Sequence, residues 1–251
     1  MSINTPKKMK IAVCIHLYHI DMIDQIKTYL LNIENEYDLF ISLVKNYPQS
    51  FLNNLLSISK NVKIIQVENK GMDVGAFLNL YKHIDESYDL ILKIHTKKSL
   101  GSESHYSFHR QKHGYESAQQ YGQNWFNDLM SGVLGDSNKV KRIINEFETN
   151  PECGMVGNRI TQNFKKNIGE MDKIFNILNV ENNFNYSNFI GGTIFWVRNS
   201  IFKKYFTHKT IESIMDTLPF GYIVEPSPNH ALERIFGCLV YLENKKILRI
   251  V

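Results

Sequence analysis

The sequence predicts an α/β fold built on a mostly parallel sheet with crossover helices. Three observations carry this expectation. Four short β-prone runs, KIAVCIHL (Lys10 to Leu17), YDLFISLV (Tyr37 to Val44), VKIIQV (Val62 to Val67) and YDLILKI (Tyr88 to Ile94), alternate with helical segments. The last of these is almost continuously apolar, as in parallel strands buried on both faces. The stretch from Val67 to Ser99 contains a strand end, a glycine turn, a helix and a second strand, the order of one crossover unit.

Taken in order, the first strand ends in His16-Leu17-Tyr18-His19. Asp21 to Leu31 is a helix with Ile23, Ile26, Tyr29 and Leu30 on its apolar face, and Asp21 is placed to cap it. The second strand leads into a short helix within Pro48 to Ser59, with Phe51, Leu52, Leu55 and Leu56 inward. The third strand closes on Asn69-Lys70-Gly71. Val74, Phe77, Leu78 and Tyr81 then recur at three- and four-residue spacing and share a helix face. The fourth strand ends in His95-Thr96-Lys97-Lys98-Ser99. Open α/β sheets bind ligands outside the carboxyl ends of their strands. Asn69, Gly71 and Asp73 from one end, and His95, Lys97 and Lys98 from the other, are therefore expected around one crevice.

Residues 100–124 are polar, carry His105, His109, Arg110, Lys112 and His113, and lack sustained periodicity. Histidines at four-residue spacing would share a helix face, but a metal site needs a closed and supported ligand set. The expectation is a solvated or substrate-covering loop. The second half is mixed. Trp125 to Leu134 and Lys139 to Phe147 read as helices, and Cys153 to Val156 as a strand entering Gly157-Asn158-Arg159. A helix follows at Met171 to Leu178. Phe189 to Arg198 (FIGGTIFWVR) is a β-prone run opened by two glycines, which allow close approach of a ligand or backbone. Ser200 to Phe206 and Thr210 to Leu218 read as helices, and Gly221 to Asn229 as a proline-containing loop. His230 to Leu242 is a helix burying Leu232, Ile235, Phe236 and Leu239, and residues 244–251 form a last strand.

The 251 residues are 43% hydrophobic and 12% aromatic, enough for a sizeable core and incompatible with a disordered chain. The formal charge of +4 suits an anionic substrate or membrane surface and gives no sign of nucleic-acid binding. Cys14, Cys153 and Cys238 are far apart and form no CxxC pair. Neither a disulfide framework nor a zinc ribbon is expected, and a reducing cytoplasm is. No signal peptide is visible, nor an apolar run near the ~18–20 residues a span needs, so membrane contact is expected to be peripheral.

At the expected crevice, Lys97 and Lys98 with the hydroxyls of Thr96 and Ser99 suit a diphosphate. A solvated lysine pair would look the same. Asn69 and Asp73 could hold the ribose or base of a nucleotide, or satisfy turn and cap donors. His95 could donate to a phosphate, or be satisfied at its strand end. Glu233 is favoured near a helix start by the dipole and is also a candidate general base, with Arg234 as its partner. Trp125 is the aromatic residue placed for stacking, whereas Phe195 and Trp196 belong to the core. From residues alone, the reading is a nucleotide- or phosphate-binding α/β domain.

NKGMDVGAFL, YDLILKIHTKKS, Trp125 before an apolar helix, GMVGN, FIGGTIFWVR and HALERIFG occur in that order. With them the chain resembles the rhamnan synthesis protein F family of bacterial polysaccharide glycosyltransferases over about residues 10–240. That family's pattern runs through an N-x-G-x-D turn, a K-x-H-x-K-K strand end, a tryptophan, a G-x-[MF]-F-W strand and a late E-R pair. Where it usually has Arg after the tryptophan, this chain has Phe126. The resemblance implies one glycosyltransferase domain of GT-A-like, Rossmann-type fold. Its nucleotide-sugar half would be about residues 10–99 and its acceptor side residues 125–251. It implies Glu233 as catalytic base for in-line, inverting attack by an acceptor hydroxyl. Donor contacts would come from Asn69, Gly71, Asp73, His95, Lys97 and Lys98. Sugar or acceptor contacts would come from Trp125, Gly191, Gly192, Thr193 and Arg234. His95-Thr96-Lys97 stands where GT-A enzymes commonly carry a metal-binding Asp-x-Asp, and this chain has no Asp-x-Asp. Metal-independent transfer without a cofactor is therefore expected, with fixed cations at the diphosphate. The implied partners are a nucleotide-diphosphate sugar, for which the family name suggests dTDP-L-rhamnose, and a glycan on a lipid carrier at the inner membrane face. The alternative is a catalytically silent nucleotide- or glycan-binding module, against which Asp73, Lys97 and Glu233 speak together.

Overall fold

The structure, a computed structural model, describes residues 8–98, 118–162, 165–181 and 188–251. The first half contains β1 (Ile11–His16), α1 (Ile23–Leu30), β2 (Tyr37–Leu43), α2 (Gln49–Leu56), β3 (Asn61–Gln66), α3 (Met72–Tyr81) and β4 (Leu90–His95). These strands pair in parallel, with β1 between β2 and β4 and β3 outside β2. In the second half, α4 (Ala118–Leu134) and α5 (Ser137–Thr149) precede β5 (Cys153–Gly157) and β6 (Ile160–Thr161). Then come α6 (Ile168–Leu178), β7 (Phe189–Ile190), β8 (Phe195–Arg198), α7 (Asn199–Lys203), α8 (His208–Thr217), α9 (Pro228–Leu242) and β9 (Lys246–Leu248). The seven-stranded sheet has the order β3-β2-β1-β4-β8-β5-β9, with β6 and β7 as a separate ribbon. β8 is antiparallel to both its neighbours, so the sheet is parallel on one side and mixed on the other.

Every residue of β1 and β4 is buried, as expected of central parallel strands covered on both faces. Successive side chains point to opposite faces. Ala12, Cys14 and Ile91 pack with Phe77 of α3, Ile174 of α6 and Phe236 of α9. Ile11, Val13, Ile15 and Leu92 pack with Ile26 of α1, Phe126 and Leu129 of α4 and Ile143 of α5. On the first face, Phe77 meets Phe195, Phe202 and Phe236 edge-on at 6.4, 6.2 and 5.7 Å between ring centres. Such edge contacts stabilise a core beyond simple burial, and here they tie α3, β8 and α9 together directly behind the site.

Several expectations are corrected. Asp21 does not cap α1. A 3-10 turn at Ile20–Met22 leads into that helix without a side-chain cap, and Asp21 pairs with Lys98. Leu56 is exposed rather than inward, because α2 turns Leu55 to the core. Residues 118–124 are the start of α4 rather than loop. The rest of the polar segment, with Ser99, His105, His109, Arg110, Lys112 and His113, lies outside the described residues. FIGGTIFWVR is not one strand. It breaks between β7 and β8 at Gly192 and Thr193, which have φ of 84° and 51°. Phe126, where the family usually has Arg, is fully buried beside Tyr29. No described helix is long and apolar enough to cross a membrane.

Candidate active site at the carboxyl ends of β1 and β4

β1 and β4 end side by side, with His16 opposite His95. Beyond them lies a cleft of about 370 Å³. One wall is His16, Tyr18 and His19, another Asn69, Met72 and Asp73, and the floor His95 to Lys98; Gly221, Tyr222 and His230 close it. A smaller cavity of about 80 Å³ shares Met72, Asp73, His95, Lys97 and His230 and adds Val74, Gly192, Thr193, Asn229 and Glu233.

Asp73, in the first turn of α3, holds the two together. The Lys93 ammonium donates to Asp73 Oδ2 at 2.7 Å, to the Thr193 carbonyl at 2.9 Å and to Thr193 Oγ1 at 2.8 Å. Thr193 Oγ1 donates to the same Asp73 oxygen at 2.5 Å. The Lys93 side chain is 1% exposed and that of Asp73 16%, so the pair sits largely out of water. A lysine is buried this far only when paired. Burial pushes the Asp73 carboxyl up, but His95 and Lys93 together outweigh it and hold it below the usual carboxylate range. Burial lowers both neighbouring histidines, His16 to about 3. Neutral His95 can then donate from Nε2 to the Gly192 carbonyl at 2.9 Å.

Glu233 reaches this network from α9. Its Oε1 accepts the Gly192 N–H at 2.6 Å and its Oε2 the Arg234 Nη1 at 3.0 Å. Burial raises its pKa above the ordinary value, against the pull of Arg234 and the Gly192 amide. Any side chain at Gly192 would be strained. Its φ is left-handed, and a Cβ would lie 2.6 Å from Leu129 Cδ1 and 3.1 Å from Trp125 Nε1. That backbone turn is what aims its N–H at the carboxylate.

Lys97 differs from Lys98. Lys98 pairs with Asp21. Among the described residues Lys97 has no carboxylate within ion-pair distance. Its Nζ lies 5.5 Å from the centre of the Trp125 ring. Burial lowers its pKa, with Asp73 and Glu233 opposing. The arrangement thus offers a cation at a cleft and a raised-pKa carboxylate in the adjoining cavity.

A family profile described as rhamnan synthesis protein F matches residues 2–245. The chain belongs to the rhamnan synthesis protein F family. That family's name places it in polysaccharide synthesis. Two curated relatives, from two strains of Xanthomonas campestris pv. campestris and both named uncharacterized protein WxcX, are 23% identical over 200 residues, covering 74% of this chain and 25% of the relative. The chain spans about a quarter of the length of these curated relatives.

In this member of the rhamnan synthesis protein F family, Asn69, Asp73, His95, Lys97 and Lys98 line the larger cleft. Gly192, Thr193 and Glu233 line the smaller one. The remaining expected residues stand behind the walls. Gly71 begins α3 at φ 73° and donates its N–H to Pro219 O at 2.8 Å. Gly191 donates to Arg159 O at 2.8 Å. Trp125 lies beneath Arg159, whose guanidinium is 4.0 Å from the ring centre. Arg234 is buried, bonded to Glu225 Oε1 at 2.6 Å and to His230 O at 2.8 Å, and so braces Glu233. Asp73 turns to Lys93 and Thr193 rather than capping α3. Lys93 and His230 lay inside the motifs K-x-H-x-K-K and HALERIFG but were not read as site residues, and Asn229 lay outside every motif. Lys93 was also marked as a lone charge inside the apolar run LILKIH.

Proposed function

We propose that this protein is a GT-A-like glycosyltransferase. It moves a sugar from a nucleotide-diphosphate donor to a growing bacterial cell-surface polysaccharide, with inversion. The observation that carries this reading is the Glu233 carboxylate, fixed by the Gly192 amide and raised in pKa, in a cavity that shares Lys97 with the larger cleft. The donor diphosphate sits beside Lys97, Lys98 and Thr96. Glu233 takes the proton of an acceptor hydroxyl as its oxygen bonds to the anomeric carbon. The bond from that carbon to the diphosphate breaks on the opposite face, and the diphosphate leaves with the electron pair. A base tuned upward suits operation near neutrality. The Lys97 ammonium neutralises charge developing on the leaving group.

Fixed cations favour transfer without a divalent metal. dTDP-L-rhamnose is the proposed donor. The test is thermal shift against nucleoside diphosphates and nucleotide sugars, each with EDTA and with manganese. A shift with one base family that EDTA leaves unchanged supports the reading. A shift requiring manganese overturns the metal-free mechanism, and no shift with any nucleotide overturns donor binding. Lys97→Ala is expected to weaken nucleoside diphosphate binding about 10- to 100-fold, the usual worth of a charged hydrogen bond, as measured by calorimetry.

The acceptor is proposed to be lipid-linked, with the protein acting in the cytoplasm at the inner membrane face. Tyr222, which lines the cleft, and its chain neighbours Phe220 and Val224 stand 50%, 64% and 61% exposed. Lys70 lies 5.7 Å from the Phe220 ring centre. An exposed apolar run edged by a cation suits an anionic lipid surface. The double variant Phe220→Ser with Val224→Ser is expected to lose co-sedimentation with phosphatidylglycerol vesicles and to keep its unfolding midpoint. Unchanged co-sedimentation would remove this surface from the proposal.

A further inference from the structure

Asn229 lies one helical turn before Glu233, so the two share a face of α9. It is 4% exposed, and among the described residues neither Oδ1 nor Nδ2 has a hydrogen-bond partner. Together with Glu233, Gly192 and Thr193 it lines the cavity of about 80 Å³. Buried amides are almost always bonded, so one that no protein group reaches is left for water or a ligand in the cavity. Folding does not call for this one. The Ser227 side chain already caps α9 by accepting from His230 N, and the Ser227 N–H goes to Asn167 Oδ1 at 3.1 Å.

We propose that Asn229 reads the donor sugar. Its amide takes the hydroxyls of the sugar ring in the small cavity, while the diphosphate stays beside Lys97 in the larger cleft. This rests on the transfer reading above. An amide sets a donor and an acceptor side by side, the complement of two adjacent hydroxyls on a neutral hexose. The cavity holds several waters' worth of space, enough for the hydroxyl-bearing edge of one ring. A site with polar groups left unpaired until the right hydroxyl arrives rejects a sugar that lacks it. Asn229 is then a specificity residue. The reacting carbon is brought next to Glu233 by the ring edge that Asn229 holds.

Two measurements test this. Asn229→Leu removes the unpaired amide at similar volume. With no protein hydrogen bond to lose, it is expected to leave the unfolding midpoint of the ligand-free protein within about 2 °C. A clearly lower midpoint would mean the amide is bonded to the protein in the folded state and would overturn the proposal. Calorimetry then compares dTDP, UDP and GDP with their hexose conjugates for wild type and Asn229→Ala. The variant is expected to bind the bare diphosphate as wild type does and to lose about 10-fold of the affinity that the sugar adds. Equal effects on both ligands, or none, overturn the proposal while leaving the transferase reading standing. So does a wild type for which no sugar adds affinity. A wild type that binds no diphosphate at all overturns the transferase reading and this inference with it.

Discussion

Glu233→Gln is expected to lower turnover of a nucleotide-sugar donor about 10²- to 10⁴-fold, the usual contribution of a positioned general base. Affinity for the bare nucleoside diphosphate should stay within about twofold, because the proposed diphosphate contacts are Lys97, Lys98 and Thr96 and not Glu233. The substitution also has a structural cost that can be stated beforehand. Glu233 accepts from two donors, the Gly192 N–H and Arg234 Nη1. A glutamine has one acceptor oxygen, so one of these donors must face its NH₂. The unfolding midpoint is therefore expected to drop by about 2–12 °C, from about 1–3 kcal/mol for an unsatisfied buried group. Isothermal donor-hydrolysis assays below both midpoints separate the two effects. The pH profile supplies a further check. Burial raises the Glu233 pKa, so activity should fall on the acid side at a pH above the ordinary glutamate value of about 4.3. The sign for stability is opposite to that for activity. A raised folded pKa gives a contribution fully present below the unfolded value and lost as pH rises through the folded one. In the proposed role, Glu233 would thus be kept ready as a base at some expense to the fold. Wild-type turnover that ran on unchanged down to pH 4 would sink this role for Glu233.

The parallel half of the fold was legible because its physics is local. Continuous apolar runs need cover on both faces, and crossover helices of matching length stand between them. Once four such strands are parallel, their carboxyl ends must meet, which is why Asn69, Asp73, His95, Lys97 and Lys98 could be placed around one cleft from sequence. What stayed hidden depends on contacts remote in the chain. The break in FIGGTIFWVR follows from a left-handed turn at Gly192 and Thr193, wedged between Leu129 and Glu233. β propensity alone ran straight through it. The start of α4 at Ala118 was missed because AQQYGQN carries no apolar stripe, and periodicity reports only stripes. Arg234 looked like a sugar contact beside a carboxylate. Its guanidinium is instead buried against the Phe189 ring, 4.8 Å from its centre, and tied to Glu225. Asn229 had no signal of its own, since an unpaired amide shows only when every neighbour is in place.

Asp73→Ala should be the most damaging change to stability at the site, lowering it by about 3–5 kcal/mol and the unfolding midpoint by about 6–20 °C. The reason is the lysine left behind. Lys93 is 1% exposed, and without Asp73 its ammonium keeps, among the described residues, only the hydrogen bonds to the Thr193 carbonyl and hydroxyl. Replacing both partners is different from removing one. Asp73→Leu with Lys93→Met takes the charge out altogether, and buried ion pairs exchanged for apolar residues of similar size are often neutral for stability. The double variant is therefore expected to regain most of the lost midpoint. It should not regain activity. Lys93 holds the Thr193 carbonyl, Thr193 follows Gly192, and the Gly192 N–H orients Glu233. Stability restored with turnover still lost would show that the pair sets the geometry of the turn rather than merely the strength of the fold. Restored turnover would assign it to folding alone. Acid titration gives an independent reading. The Asp73 carboxyl is held below its ordinary range, first by His95 and Lys93 against the opposing effect of burial. A depressed folded pKa contributes stability present above the unfolded value, about 3.9, and lost as pH falls through the folded one. Urea unfolding between pH 4 and pH 2 should therefore lose stability more steeply in wild type than in Asp73→Ala. Glu233 and Asp73, both carboxylates at one cavity, are driven in opposite directions by their surroundings. One is left with a proton affinity suited to taking a proton, the other is kept ionised to hold a lysine in place.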